Sequence, residues 1–304
     1  MTKTLPTVIW LGCLLGASAG QQASISTAPP AQKLPDIDAV FGLYTYSDEM
    51  DFDKLNGGLS VSEFDLFSAL SKPITVAGDV LLVPAFQYGY TDLDVGGVNN
   101  AFPIQDEELH SMALHLAAVK MNSGSPWFYG GWVRAELATD FQHVNGDDFT
   151  FDVAAGVGYR YNHGLTVAAG VAALNFNGAF WVCPGINFDW VVNETTRIGL
   201  YGPMPVISYT PNDDWSFTLR GFPGGGIWSI DDRAGDSKAI DLTSYQVGAF
   251  VGRKLVDKLW LNAGVGMTSF NSIELTDPDG DNAIIDADMD WAPFYQIGLS
   301  LRAW

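Results

Sequence analysis

From Asp38 onward, apolar residues recur at every second position, and no segment carries the three-to-four spacing of an amphipathic helix. Between Phe180 and Trp190 the even positions are Phe, Val, Pro, Ile, Phe and Trp. The odd ones include Cys183, Gly185, Asn187 and Asp189. Phe149 to Tyr161 repeats this with opposite parity. Phe149, Phe151, Val153, Val157 and Tyr161 share one face, and Thr150, Asp152, Gly156, Gly158 and Arg160 share the other. Leu259–Ser269 and Trp291–Ala303 alternate in the same way. Such segments predict β-strands with one apolar face each.

A soluble sandwich also alternates, so the polar face decides between it and a membrane barrel. Here that face is rich in Gly, Ala, Ser and Asn, which suits a barrel lumen better than an open surface. The more apolar faces carry only Lys120 and Arg253, both at strand ends where long cations reach water. The opposite faces carry Glu63, Asp65, Asp79, Arg134, Glu136, Asp140, Asp152, Arg160, Asp189, Arg197, Arg220, Lys254 and Arg302. A Lys or Arg facing lipid at mid-membrane costs about 2–4 kcal/mol, which explains the partition. Tyr and Trp recur near strand ends (Tyr88, Tyr90, Tyr129, Trp190, Trp215, Trp291), as interfacial girdles require.

Short connections near 71–75, 122–126, 162–164, 193–195, 211–213 and 254–258 alternate with mostly longer ones at 47–57, 91–107, 142–148, 223–243 and 271–288. Alternating short and long hairpins predict an all-β, closed antiparallel up-and-down transmembrane β-barrel of roughly 12 to 14 strands. The lower count applies if 38–46 is not a strand and Gly202–Pro205 is only a bulge.

The N-terminus reads as an address. Lys3, the apolar run Val8–Leu15 and the small residues Ala17-Ser18-Ala19 form a secretory signal peptide over 1–19. Residues 20–36, rich in Ser, Ala, Pro and Gln, read as a flexible spacer, and the barrel occupies 37–304. Cleavage leaves Cys183 alone, so no intramolecular disulfide forms. Composition adds a constraint on partners. Fifteen Lys and Arg stand against 35 Asp and Glu, a formal charge of −20, which argues against nucleic acid.

On these grounds the chain resembles bacterial outer-membrane β-barrel proteins over essentially 38–304. It looks like the uncharacterised barrel families known only as outer-membrane domains of unknown function. Gly199-Leu200-Tyr201-Gly202-Pro203-Met204-Pro205, followed by Ile207-Ser208-Tyr209, has that character. The resemblance implies an outer-membrane location, contact with lipid and lipopolysaccharide, and insertion by the barrel-assembly machinery. That machinery reads an alternating C-terminal strand such as Tyr295, Ile297, Leu299 and Leu301. Trp304 supplies a terminal aromatic but falls on the opposite parity.

The inner-face charges Asp79, Arg134, Glu136, Asp140, Asp152, Arg160, Asp189, Arg197 and Arg220 mix both signs. Opposed signs across a lumen either set up the field of a constriction or pair and close it. The leading expectation is a passive channel for small hydrophilic solutes or ions. The alternative is a non-conducting structural or surface-binding barrel with acidic loops. In one such loop Asp277, Asp279, Asp281 and Asp288 take positions 1, 3, 5 and 12 of an EF-hand-like calcium loop, although Asn282 stands where that loop has Gly. Calcium is therefore the one candidate cofactor. A barrel hydrolase is the least favoured reading. Ser111 and His115 share a strand face, but no triad or metal spacing is recognisable.

Overall fold

The structure, a computed structural model, describes residues 38–76, 80–97, 106–121, 124–142, 144, 146, 148–162, 164–176, 179–231, 237–277 and 283–302. The signal peptide, the spacer, Asp79, Asp279 and Asp281 lie outside the described residues.

Sixteen strands follow in order: β1 (Asp38–Asp51), β2 (Gly58–Ala69), β3 (Ile74–Val76), β4 (Val80–Gly96), β5 (Glu107–Met121), β6 (Trp127–Thr139), β7 (Phe149–Asn162), β8 (Leu165–Phe176), β9 (Ala179–Val191), β10 (Thr196–Tyr201), β11 (Met204–Asn212), β12 (Trp215–Asp231), β13 (Ser237–Val256), β14 (Leu259–Thr276), β15 (Ala283–Met289) and β16 (Pro293–Arg302). Strands β3 and β15 pair with β4 and β14 beyond the ends of β2 and β16, so the wall is a 14-strand antiparallel barrel. It closes where β1 pairs with β16, from Asp38↔Arg302 to Ser47↔Phe294. Both segments left open by the sequence are strands. β1 begins at Asp38, and Gly202 turns a true β10–β11 hairpin at φ +61°.

The short turns are built by side chains that stand in for backbone acceptors. Asn193 Oδ1 accepts from the Thr195 and Thr196 amides, and Asn212 Oδ1 from those of Asp214 and Trp215. Around the outside, Leu114, Val133, Phe151, Val171, Leu219, Val265 and Ile297 are exposed apolar residues on a strand face. That arrangement is stable only against lipid. Arg253 lies at the edge of this band, its guanidinium 4.7 Å from the Trp215 ring and 3.6 Å from Asp214, as a cation reaching for water does. Among the described residues no helix is long and apolar enough to cross a membrane.

At the end carrying the longer hairpins, much of what reads as loop is strand. β12 runs to Asp231, β13 starts at Ser237, and β14 continues to Thr276. The alternation there changes its sense. Trp228, Ile230, Ile240, Leu242, Ile273 and Leu275 point inward and are buried, while Asp241 and Glu274 sit between them in sequence. These hairpins rise above the lipid, where water outside and apolar packing inside is the stable arrangement. Gly225, at φ +83°, lets β12 bend inward until Ser229 bridges Thr139 of β6 in parallel, with Asp140 N–H donating to Ser229 O at 3.2 Å. The ring of β1, β2, β4–β6 and β12–β15 is thereby drawn together around one apolar core, which also takes in Leu59, Leu93 and Leu109.

Candidate functional site: the lumen and a step in the wall

Drawing β12 onto β6 divides the interior. In the half lined by β1–β6 and β12–β16, inner side chains pack against one another. Phe294, Ala85, Ser300 and Gln296 are buried, and the Phe222, Phe250 and Phe294 rings meet at 6.0–6.2 Å. Across that contact, Ala154, Ala172 and Leu174 of β7 and β8 pack on Trp132 and are buried, but the inner face of β9 is different. Trp181 points inward yet is 44% exposed, and a Cβ on Gly185 would meet nothing within 4 Å. Cys183 lies between them on the same face as a free, partly exposed thiol.

The wall is interrupted beside this open face. Pairing of β9 with β10 ends at Asn187↔Tyr201, although β9 continues to Ala179. Pairing of β11 with β12 ends at Val206↔Arg220, although β12 continues to Asp231. The turn at Gly202–Pro203 therefore forms a low step between two tall strands. Beside it Ile186 and Val182 of β9 are 65% and 73% exposed on the outer face, so the margin of the step is apolar. Pro184 and Pro223 occupy the edges flanking the step, where a residue without an N–H loses least. Tyr245 fastens the step. Its hydroxyl crosses Gly221 on the outside of β12 and donates to Pro203 O at 2.6 Å.

The inner-face charges are mostly paired across neighbouring strands. Arg134 Nε donates to Asp152 Oδ2 at 2.8 Å, and its Nη2 lies 2.9 Å from Glu136 Oε2. Arg197 grips Asp189 with both Nε and Nη2. Arg220 lies 4.2 Å from the Phe250 ring centre and donates to Gln296, which in turn donates to Thr45. Arg160 covers Phe128 at 5.6 Å and reaches Met121 Sδ. Asp140 is placed not in the lumen but at the outer end of β6, where β12 crosses. Thus Arg134, Glu136 and Asp152 come together, as do Arg197 and Asp189, whereas Arg160 and Arg220 stand apart from both.

His115 faces inward, and its Nδ1 accepts from Trp132 Nε1 at 3.3 Å. Ser111 is four residues along the same strand, roughly 13 Å at the usual rise, so the two do not act as a nucleophile and its base. Among the described residues no group of three or more His, Cys, Asp or Glu is gathered as a metal site. Asp288 is on β15 opposite Ser272, several residues from the hairpin end where Asp277 leaves β14.

Outside the barrel, the Tyr88, Tyr90, His110 and Phe141 rings cluster at 5.0–6.1 Å, with Tyr88 Oη 2.9 Å from His110 Nδ1. Asp92 and Glu108 lie directly opposite each other just above this girdle. Partial burial, then Glu108, Asp94 and Asp106, push the Asp92 carboxyl above its ordinary value.

No protein-family model matches the sequence, and no curated protein matches it. Among solved structures the chain is similar to an outer membrane channel from Pseudomonas putida F1. That likeness has 11% identity and a TM-score of 0.42, over 91% of this chain and 100% of that one. It is also similar to the Pseudomonas putida toluene transporter TodX, at 9% identity and a TM-score of 0.34 over 91% and 90%. The beta domain of the Bordetella autotransporter BrkA follows, at 11% identity and a TM-score of 0.30 over 88% and 100%. Likeness at these scores carries no argument about activity, and the barrel stands on its own strand pairing.

Proposed function

We propose that the chain is an outer-membrane channel through which small solutes pass passively. The observation that carries this reading is the unfilled inner face of β9 at Trp181 and Gly185. A wall of this size encloses more space than its side chains fill. Because the apolar core closes the centre of the outer end, the path runs along the inner face of β9 and leaves beside the β10–β11 step. A solute using it crosses a lumen with paired charges and then an apolar margin, so small, weakly charged solutes fit better than ions. Membrane lipid and lipopolysaccharide are its surroundings in this reading, and the assembly machinery inserts it.

Proteoliposome swelling tests the proposal. Gly185→Trp places a ring in space that holds no neighbour, so the barrel folds and solute entry falls several-fold. Equal entry for the variant and the parent protein would reject this path. A second reading, a non-conducting barrel with calcium-binding acidic loops, is favoured by the packed outer core. In that case neither protein admits solute, although both migrate as folded barrels. Calorimetry then shows calcium binding that Asp279→Ala and Asp281→Ala remove.

A further inference from the structure

The path along β9 changes character at one level. Trp181, Cys183 and Gly185 front the open space, and Asn187 and Asp189 follow on the same face toward the short turns. At Asn187 the pairing with β10 begins, and Tyr201 stands directly opposite. Tyr201 shares the inner face of β10 with Gly199 and Arg197. Its ring does not point outward along the barrel into the opening. It lies back over Gly199, which is buried, and a Cβ there would fall 2.7–2.9 Å from Cε2, Cζ and the hydroxyl oxygen of the ring. That posture brings the hydroxyl into a hydrogen bond with Arg197, whose Nε donates to Asp189 Oδ1 at 2.6 Å. Asn187 is engaged as well, because its Oδ1 accepts from the Gly202 amide at 2.7 Å.

The ring has one other place to go. Met204 faces it directly across the β10–β11 turn and is buried, so that side is filled. Outward lies Gly185, two residues from Asn187 on β9, where an added Cβ would meet nothing within 4 Å. Diagonal neighbours of this kind are roughly 7–8 Å apart, within reach of an aromatic side chain. Rotation about χ1 from one staggered position to another carries the ring from Gly199 to that space and gives up the bond to Arg197. Only glycine at 199 allows the lowered position. A methyl group there collides with the far atoms of the ring, so the ring yields before the strand does.

We infer that Tyr201 sets the width of this path. Lowered onto Gly199 and held by Arg197, it leaves the space beside Gly185 clear for small uncharged solutes; raised, it fills that space. The inference rests on the path proposed above, but its test does not need solute flow. With Cys13→Ser, Cys183→Ser and Gly185→Cys, the full barrel folded in detergent carries a single thiol at the place where the raised ring stands. The rate at which N-ethylmaleimide labels that thiol reads whether the place is covered. Adding Gly199→Ala slows labelling several-fold, and adding Tyr201→Ala to that variant restores the rate. Heat-modifiable gel migration confirms that each variant is folded. An unchanged rate in the Gly199→Ala barrel overturns the inference. So does slowing that persists after Tyr201→Ala, and so does a reporter thiol that fails to react before Gly199 is changed. Proteoliposome swelling then separates the two readings. Thiol protection with solute entry that falls in step supports both. Protection in a barrel whose parent admits no solute leaves the role of the ring standing while the channel reading fails.

Discussion

Arg134 holds two carboxylates on the inner face, and removing it shows what such a charge contributes. Arg134→Ala takes the partner from the buried Asp152 and from Glu136, so the barrel loses about 3 kcal/mol of stability in unfolding from detergent. Arg134→Ala combined with Asp152→Asn recovers part of that loss, because no unpaired charge is left at Asp152. Asp92 behaves in the opposite sense. Its carboxyl titrates higher in the folded barrel than in the unfolded chain, because of partial burial and then Glu108, Asp94 and Asp106. The folded state therefore binds that proton more readily, and stability rises as pH falls through the window between the two values. Asp92→Asn stabilises the barrel at neutral pH by about 0.2–1 kcal/mol, since like charges directly opposite on a sheet repel. The gain disappears below about pH 4, where both states carry the proton, and it shrinks with added salt. At this scale the sequence was informative about facing but not about pairing. Parity puts Arg134, Glu136 and Asp152 on the inner side, but only strand register brings Arg134 opposite Asp152.

At the scale of elements, β12 is the strand whose reading changed most. Pro223-Gly224-Gly225-Gly226 has the composition of a loop, yet it is the bend of a continuous strand. A Cβ at Gly225 would lie 2.0 Å from Leu242 O, and φ there is +83°. Gly225→Ala therefore straightens or displaces the limb. It costs about 1–3 kcal/mol and loosens the outer core, so backbone amides of β13 and β14 near Leu242 and Leu275 exchange hydrogen faster than in the parent barrel. Residues 223–243 and 271–288 read as long connections in the sequence, whereas β12, β13 and β14 extend into them, and a hairpin rising above lipid reverses which face is apolar. Periodicity alone does not tell lipid from packed core. The short β10–β11 hairpin was legible as a departure from alternating loop lengths, and the register shows that departure to be the step in the wall.

For the whole molecule, the architecture follows from features that repeat: one apolar face per strand, charges on the other, and turns placed by Asn and Gly. What did not follow is the division of the interior into a packed part and an open part. That division depends on Ser229 meeting Thr139, residues ninety apart that no local pattern links. The wall itself depends on a contact of still longer range, the β1–β16 seam. Deleting 293–304 removes that seam and exposes two strand edges. The truncated chain then fails to give the compact, heat-modifiable band of the full chain on a gel.

The same seam sets an order in time. Its first pairing joins Asp38 to Arg302, so a strand made early and one made late in a growing polypeptide must meet before any ring exists. Neighbouring hairpins can form early at little entropic cost, but this contact closes a loop of nearly the entire chain. Completion is therefore a single late event. Until it happens, both edges remain available to a helper that shields them.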